Sequence, residues 1–260
     1  MIDLFHEIGK ILLEDGVVVE VPTWQALDVT DKPQGRTYET LNMSFQYMIP
    51  NGMKALQHDC DPNLPWAENQ FQERVSGEPL NPGNTYWEWP WYTGNVEEHK
   101  PQGQFSHTYM ERYFPKQAGN DVLEGDDTIY KHGIRYPYGD LDDVVNLLSR
   151  EPNTRQAYLP VFFPEDTGAV HKERIPCSIG YWFYMREGVL GITYFIRSCD
   201  FFRHFRDDVY MTCRLVQWAL DQLRDGEGVW KDVAPGKLIM HIGSLHCFEG
   251  DLAKLRREYG

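Results

Sequence analysis

Two strand-like runs, Ser178–Met185 and Val189–Ile196, are joined only by Arg186-Glu187-Gly188. A short, glycine-bearing link of this kind makes a hairpin, so the chain must build at least part of an antiparallel sheet. Further on, Val209, Cys213, Val216, Leu220 and Leu223 recur at spacings of four, three, four and three. That is the apolar stripe of an amphipathic helix with one buried face. Ala157–Phe163 reads as another strand, Lys237–Gly243 as a final central strand, and Leu252–Tyr259 as a closing helix. Leu141, Val144, Val145 and Leu148 have helical spacing behind Asp140 as N-cap. At the N-terminus, Phe5, Ile8, Ile11 and Leu12 share a helix face, and Gly16 stops that helix before the strand-like Val17-Val18-Val19. Helices mixed with strands that include a hairpin predict an α+β domain, with a mixed, largely antiparallel sheet flanked by helices.

At 260 residues the chain can bury one large core, and no linker divides it, so residues 1–260 read as a single domain. No internal repeat is present. There is no apolar run of about eighteen residues and no basic-then-apolar leader, so neither membrane insertion nor secretion is expected. The five cysteines (Cys60, Cys177, Cys199, Cys213 and Cys247) are odd in number and lack C-x-x-C spacing. They suit a reducing cytoplasm better than a disulfide framework or zinc ribbon. The nine histidines are scattered without ligand spacing, so no metal is expected. A net charge of −14 disfavours DNA or RNA polymers, although a few arginines in a pocket can still hold one small phosphate.

Residues 59–137 are rich in Pro, Gly, Asn and aromatics, with little clean periodicity. Within them, Tyr86–Tyr92 carries Trp87, Trp89 and Trp91. A buried aromatic cluster is the favoured reading, and a wall on which a flat ligand stacks is the alternative.

The chemistry-bearing residues concentrate further along. Free cysteines are ordinarily inert packing groups, and Cys213 on the helix stripe is one of them. Cys177 differs because Pro176 fixes the backbone ahead of it and Arg174 and Arg197 are available to lower its pKa toward a thiolate.

Thr154-Arg155, Pro176-Cys177, Arg197-Ser198-Cys199-Asp200, Asp208 and Gly243-Ser244-Leu245-His246 form an ordered set. It resembles the signature of the thymidylate synthase and pyrimidine nucleotide hydroxymethylase family, with matching spacing from about Asp140 to Leu252. The N-terminal half matches more loosely, through Arg36-Thr37, Glu68 and the tryptophan-rich segment. The resemblance implies that family's fold and a homodimer formed through the sheet. It also implies transfer of a one-carbon unit from 5,10-methylene-tetrahydrofolate to carbon 5 of a pyrimidine nucleoside monophosphate. In that chemistry Cys177 would add to ring carbon 6 and make carbon 5 electron-rich.

Other roles follow from the same resemblance. Arg197, Ser198 and Arg155 would hold the 5′-phosphate, with Arg155 reaching in from a second subunit and Arg36 as a further phosphate ligand. His246 would contact the sugar, Asp200 would hydrogen-bond the pterin, and Trp87 and Trp89 would line the folate or base pocket. Glu68 would organise water and assist proton transfer, although the segment Glu68–Asn81 differs in length from the family's. Tyr109 would stand near the carbon 5 proton.

Several positions depart from the family pattern. Asp208 stands where thymidylate synthases carry asparagine. A carboxylate accepts well from the exocyclic amine of cytosine but has no donor for the uracil carbonyl unless protonated. The expected substrate is therefore dCMP and the expected product 5-hydroxymethyl-dCMP, as in the phage branch that makes modified DNA precursors; dUMP is the alternative. Asp207 and Asp208 could instead cap the following helix. Ser178, Ile196, Gln156 and Phe248 replace a histidine, a glutamine, a second phosphate arginine and a sugar-binding tyrosine. His204-Phe205-Arg206-Asp207 replaces a Gly-Leu-Pro-Phe-like run. A non-catalytic nucleotide-binding protein, and a cysteine hydrolase pairing Cys177 with His246 or His204, are the rival readings.

Overall fold

The computed structural model describes residues 4–24, 27–91, 104–118, 130–131, 134–135, 139–167, 174–224 and 228–260. Tyr92 of the aromatic segment lies outside them. Seven helices carry the labels α1 (Leu4–Asp15), α2 (Met53–Cys60), α3 (Trp66–Arg74), α4 (Tyr109–Tyr113), α5 (Leu141–Arg150), α6 (Phe205–Arg224) and α7 (Leu252–Tyr259). The main strands are β1 (Val17–Glu20), β2 (Arg36–Met48), β3 (Tyr158–Pro160), β4 (Ser178–Arg186), β5 (Val189–Asp200) and β6 (Ala234–Phe248). They form one sheet in the order β1-β2-β6-β5-β4-β3.

Every neighbouring pair in that sheet is antiparallel except β5 and β6. The exception has a local cause: α6 carries the chain from the end of β5 back to the start of β6, the crossover that parallel strands need. The molecule is thus mixed α+β, with a six-stranded mixed sheet flanked by helices. β4 and β5 turn over Glu187-Gly188, both at positive φ (52° and 76°), the geometry whose twist suits a two-residue hairpin.

The pleat gives the sheet two different faces. Tyr181, Tyr194, Met240 and Phe45 pair across four strands and are all buried. Phe205 at the start of α6 packs edge-on against Phe45 and Phe5 on this side. The alternate row Trp182, Thr193, Ile239 and Gln46, with the stacked Phe195 and His241 beside it, looks away from this core.

α1 buries Phe5, Ile8 and Leu12 as expected, but Ile11 is 41% exposed. At about 100° per residue it falls on the flank of the stripe rather than its centre. Asp140 caps α5 in a reciprocal box with Asp143. The strand expected over Ala157–Phe163 is regular only at Tyr158–Pro160, although the Ala157 carbonyl still accepts from Phe183 N–H at 2.8 Å and the Val161 N–H donates to the Ile179 carbonyl at 2.9 Å. The aromatic segment divides: Trp87 and Trp91 are 49% and 36% exposed, and only Trp89 packs inward, against Trp66 and His204. A buried cluster is therefore the wrong description of two of its three indoles.

One buried ion pair ties α4 to the segment after β3. The Arg112 guanidinium donates to both oxygens of Asp166 at 2.8 Å, with side chains 1% and 4% exposed. Arg112→Met is expected to lower the unfolding free energy by about 3–5 kcal/mol, because it strands a buried carboxylate. Urea unfolding of that variant and of Arg112→Met/Asp166→Leu checks this; the double variant should recover much of the loss.

Candidate active site

The segment entering β4 is pinned from two sides. Arg197 on β5 donates its backbone N–H to the Cys177 carbonyl at 2.9 Å. Its Nε donates to the Pro176 carbonyl at 2.9 Å and its Nη2 to the Ile175 carbonyl at 3.1 Å. From the other side, Ser106 Oγ donates to the Arg174 carbonyl at 2.6 Å. Cys177 Sγ thereby stands 4.0 Å from Arg197 Nη2. Arginine has five N–H donors, so Arg197 holds this segment with donors to spare.

Burial and charge compete at the thiol. Cys177 is half-buried. Burial pushes its pKa above the ordinary value, and Asp208 adds to that, while Arg197 and Arg174 pull the other way. The expectation that two arginines would make a ready thiolate therefore fails for the free protein: desolvation outweighs them. Arg174 itself loses basicity through burial and lies over the Phe105 ring at 4.9 Å.

Around Cys177 the fold gathers neutral hydroxyls and one carboxylate. The Tyr109 hydroxyl and Ser178 Oγ are hydrogen-bonded at 3.0 Å, and Ser178 Oγ and the Tyr194 hydroxyl at 2.6 Å. Burial raises the pKa of both tyrosines, so they remain protonated. Asp208 sits in the first turn of α6 and accepts from Cys199 Sγ at 3.6 Å. Burial raises its pKa to about 7, with Arg74 opposing and Asp207 reinforcing the rise. Asp207 does not cap the helix end: it is fully buried and accepts from both the backbone and the side-chain nitrogen of Asn63 at 2.8 Å.

A second group lies near the end of β5. His246 and Asp200 are cross-strand partners, as are Ser244 and Ser198. Asp200 Oδ1 accepts from the backbone N–H groups of Phe202 and Arg203 at 3.0 Å, and Oδ2 from the Arg203 guanidinium at 3.1 Å. His204 stacks on Trp89 with ring centroids 5.0 Å apart and planes 8° from parallel. Burial lowers its pKa to about 4, so the imidazole is neutral. Burial lowers His246 as well. The buried Trp89 Nε1–H has no partner among the described residues.

The structure thus brings Cys177, Arg197, Tyr109 and Asp208 together, with Asp200, His246 and Trp89 in the neighbouring group. It does not bring in Glu68, whose carboxylate accepts from Arg214 twice at 3.0 Å and from the Tyr210 hydroxyl at 2.6 Å. Burial alone would raise the Glu68 pKa, but these bonds reverse the sign and hold it low. Arg36 pairs with Glu249 at 3.1 Å. Arg155 is exposed beside β3, its carbonyl accepting from the Trp182 indole at 3.2 Å, and Trp87 faces outward.

Arg74, Ser106 and Tyr194 were not singled out as members of the site from sequence, and His204 only as a partner of Cys177 in the rival hydrolase reading. Only Arg74 left a usable signal: it follows Ala67 and Phe71 at spacings of four and three, which puts a cation on the buried stripe of α3. All five cysteines are free thiols. Among the described residues no acidic, histidine or cysteine cluster could hold a metal ion, and no helix is long and apolar enough to cross a membrane. Comparison with protein-family models finds none that matches this chain, and comparison with curated proteins finds no match.

Proposed function

We propose that this protein is an enzyme of the thymidylate synthase and pyrimidine hydroxymethylase type, which transfers a hydroxymethyl group to carbon 5 of dCMP. The observation that carries this reading is the placement of Cys177 Sγ 4.0 Å from Arg197 and within electrostatic reach of Arg174 and Asp208. Pure nucleotide binding needs the arginines but not the thiol.

In the proposed reaction Cys177 gives up its proton and Sγ bonds to ring carbon 6. The electrons of the carbon 5–carbon 6 double bond then make carbon 5 the nucleophile. Methylene-tetrahydrofolate, when bound, supplies the one-carbon unit. Carbon 5 would bond that unit, and the carbon 5 proton would leave as the carbon–nitrogen bond to the folate breaks and releases tetrahydrofolate. Water would add to the exocyclic methylene, and the Sγ–carbon 6 bond would break to release product and restore the thiol. Arg197 would grip the phosphate through its remaining donors, with Ser198 beside it. His246 faces the sugar. Asp208 accepts from the cytosine amine, which draws its negative charge away from the thiol just when the thiolate is needed.

For the folate, the Trp89 N–H, which has no partner among the described residues, and the partly exposed Trp87 and Trp91 side chains suit a flat, acceptor-bearing ring. Asp200 accepts three hydrogen bonds, and the remaining lone pair of its Oδ2 would serve the folate. A homodimer through the open sheet face completes the proposal: that face carries Ile179, Phe195 and His241 around a depression of about 330 Å³ that Arg197 also lines. Arg155, exposed at the edge of the same sheet, would then reach the partner's phosphate. The cytoplasm is the proposed compartment.

The test is incubation of the protein with methylene-tetrahydrofolate and each of dCMP, dUMP and CMP, with mass analysis of the product. A dCMP product heavier by one carbon, one oxygen and two hydrogens is expected, and no mass gain with any of the three would discard the proposal. One observation favours dUMP as the second reading: with a pKa of about 7, Asp208 is partly protonated at neutral pH and can donate to the uracil carbonyl.

A further inference from the structure

Arg74 ends α3 and is only 7% exposed. Its guanidinium lies 4.1 Å from the centroid of the Tyr109 ring, and its Nε–H has no partner among the described residues. A buried guanidinium is costly unless an anion compensates it. The compensating groups are the hydroxyls of Tyr113, Tyr181 and Tyr109 and one full carboxylate, Asp208.

Seen from Asp208, the surroundings are lopsided. Asp207 faces it from its own helix, and Arg74 from α3. Cys199 and Tyr194 approach from β5, Tyr109 and Tyr113 from α4, and Cys177 from the segment before β4. All of these are neutral or anionic except Arg74. A carboxylate at this depth needs a cation to remain ionised, and among the described groups that act on it Arg74 is the one that supplies the charge.

We propose that Arg74 is a positioning residue for base selection, acting through Asp208: its charge favours the ionised, accepting form of Asp208 and so biases the site toward a 4-aminopyrimidine. The inference rests on the reading of these residues as a pyrimidine nucleotide site. Cytosine offers an amine donor at this position and uracil a carbonyl acceptor. An ionised Asp208 bonds the first and repels the second, whereas a protonated Asp208 can donate to the second. Arg74 need not touch the nucleotide.

Two measurements separate this inference from the functional reading beneath it. The carboxyl stretch of Asp208, assigned by its loss in Asp208→Asn, can be titrated by infrared difference spectroscopy without any nucleotide. In Arg74→Met its midpoint should rise by about one pH unit or more, and Arg74→Lys should restore most of that shift. Binding of dCMP and dUMP near pH 7.5 should then show about a threefold loss or more for dCMP in Arg74→Met without an equal loss for dUMP, again rescued by lysine. An unchanged midpoint in folded Arg74→Met, or an equal loss of both nucleotides, overturns the inference. Should the methionine variant fail to fold, the wild type decides: its dCMP-to-dUMP affinity ratio should fall about a hundredfold between about pH 8 and 6, and a flat ratio overturns the inference. If the wild type binds neither nucleotide, the nucleotide reading fails and takes base selection with it.

Discussion

Cys177→Ser should reduce carbon transfer to the pyrimidine on the order of 10⁴-fold or more, while the affinity for the nucleotide stays within a few-fold of wild type. A serine hydroxyl in the same place is a far weaker nucleophile than a thiol, and its surroundings would not rescue it. The nearby hydroxyls of Tyr109, Ser178 and Tyr194 are neutral, and both histidines near the end of β5 have lowered pKa values. Binding survives because Arg197 is held by the Pro176 and Ile175 carbonyls rather than by the thiol. Single-turnover kinetics and calorimetry of the same variant would measure the two halves of this expectation. A serine variant that still turns over within tenfold of wild type would remove Sγ from the chemistry altogether.

Asp208→Asn should shift selectivity toward the uracil nucleotide by about 10²-fold, because an amide can donate to the carbonyl whereas a carboxylate cannot. The same substitution should stabilise the protein in a pH-dependent way. Asp208 has a folded pKa of about 7 against an ordinary 3.8, so folding disfavours its charged form. The sign follows: the penalty is absent below the unfolded pKa, grows as pH rises between the two values, and is fully present above the folded one. Since Asp208 is half-buried, solvent screening reduces the penalty to on the order of 2 kcal/mol rather than the full value of the shift. Asp208→Asn should therefore melt at a higher temperature than wild type at pH 8, with little difference near pH 4. Equal melting curves at both pH values, with unchanged base preference, would mean that Asp208 neither feels burial nor reads the base.

Much of the fold was legible because its local signals agree with its packing. The β4–β5 hairpin, the stripe of α6 and the capped start of α5 each follow from a period or a turn that needs no distant partner. β2 was passed over even though Met43, Phe45 and Tyr47 alternate with polar residues, because a period of two is short and easily lost among neighbouring aromatics. The segment Trp87–Trp91 misled for a different reason: composition cannot say which side of an indole faces water.

The site divides in the same way. The order of Pro176-Cys177, Arg197 and Asp208 along the chain was enough to nominate them, since strand pairing turns that order into proximity. Glu68 was nominated with them, but Arg214 and Tyr210, more than a hundred residues distant in sequence, hold its carboxylate elsewhere.

By itself the sequence determined the residue types that can react and the local elements that carry them, because period, turn chemistry and capping act over a few residues. Only the tertiary structure decided the protonation of Cys177 and Asp208 and the presence of Arg74 beneath Tyr109. Those depend on burial and on charges brought in from separate helices and strands. Desolvation is a property of the whole fold, and no short stretch of sequence encodes it.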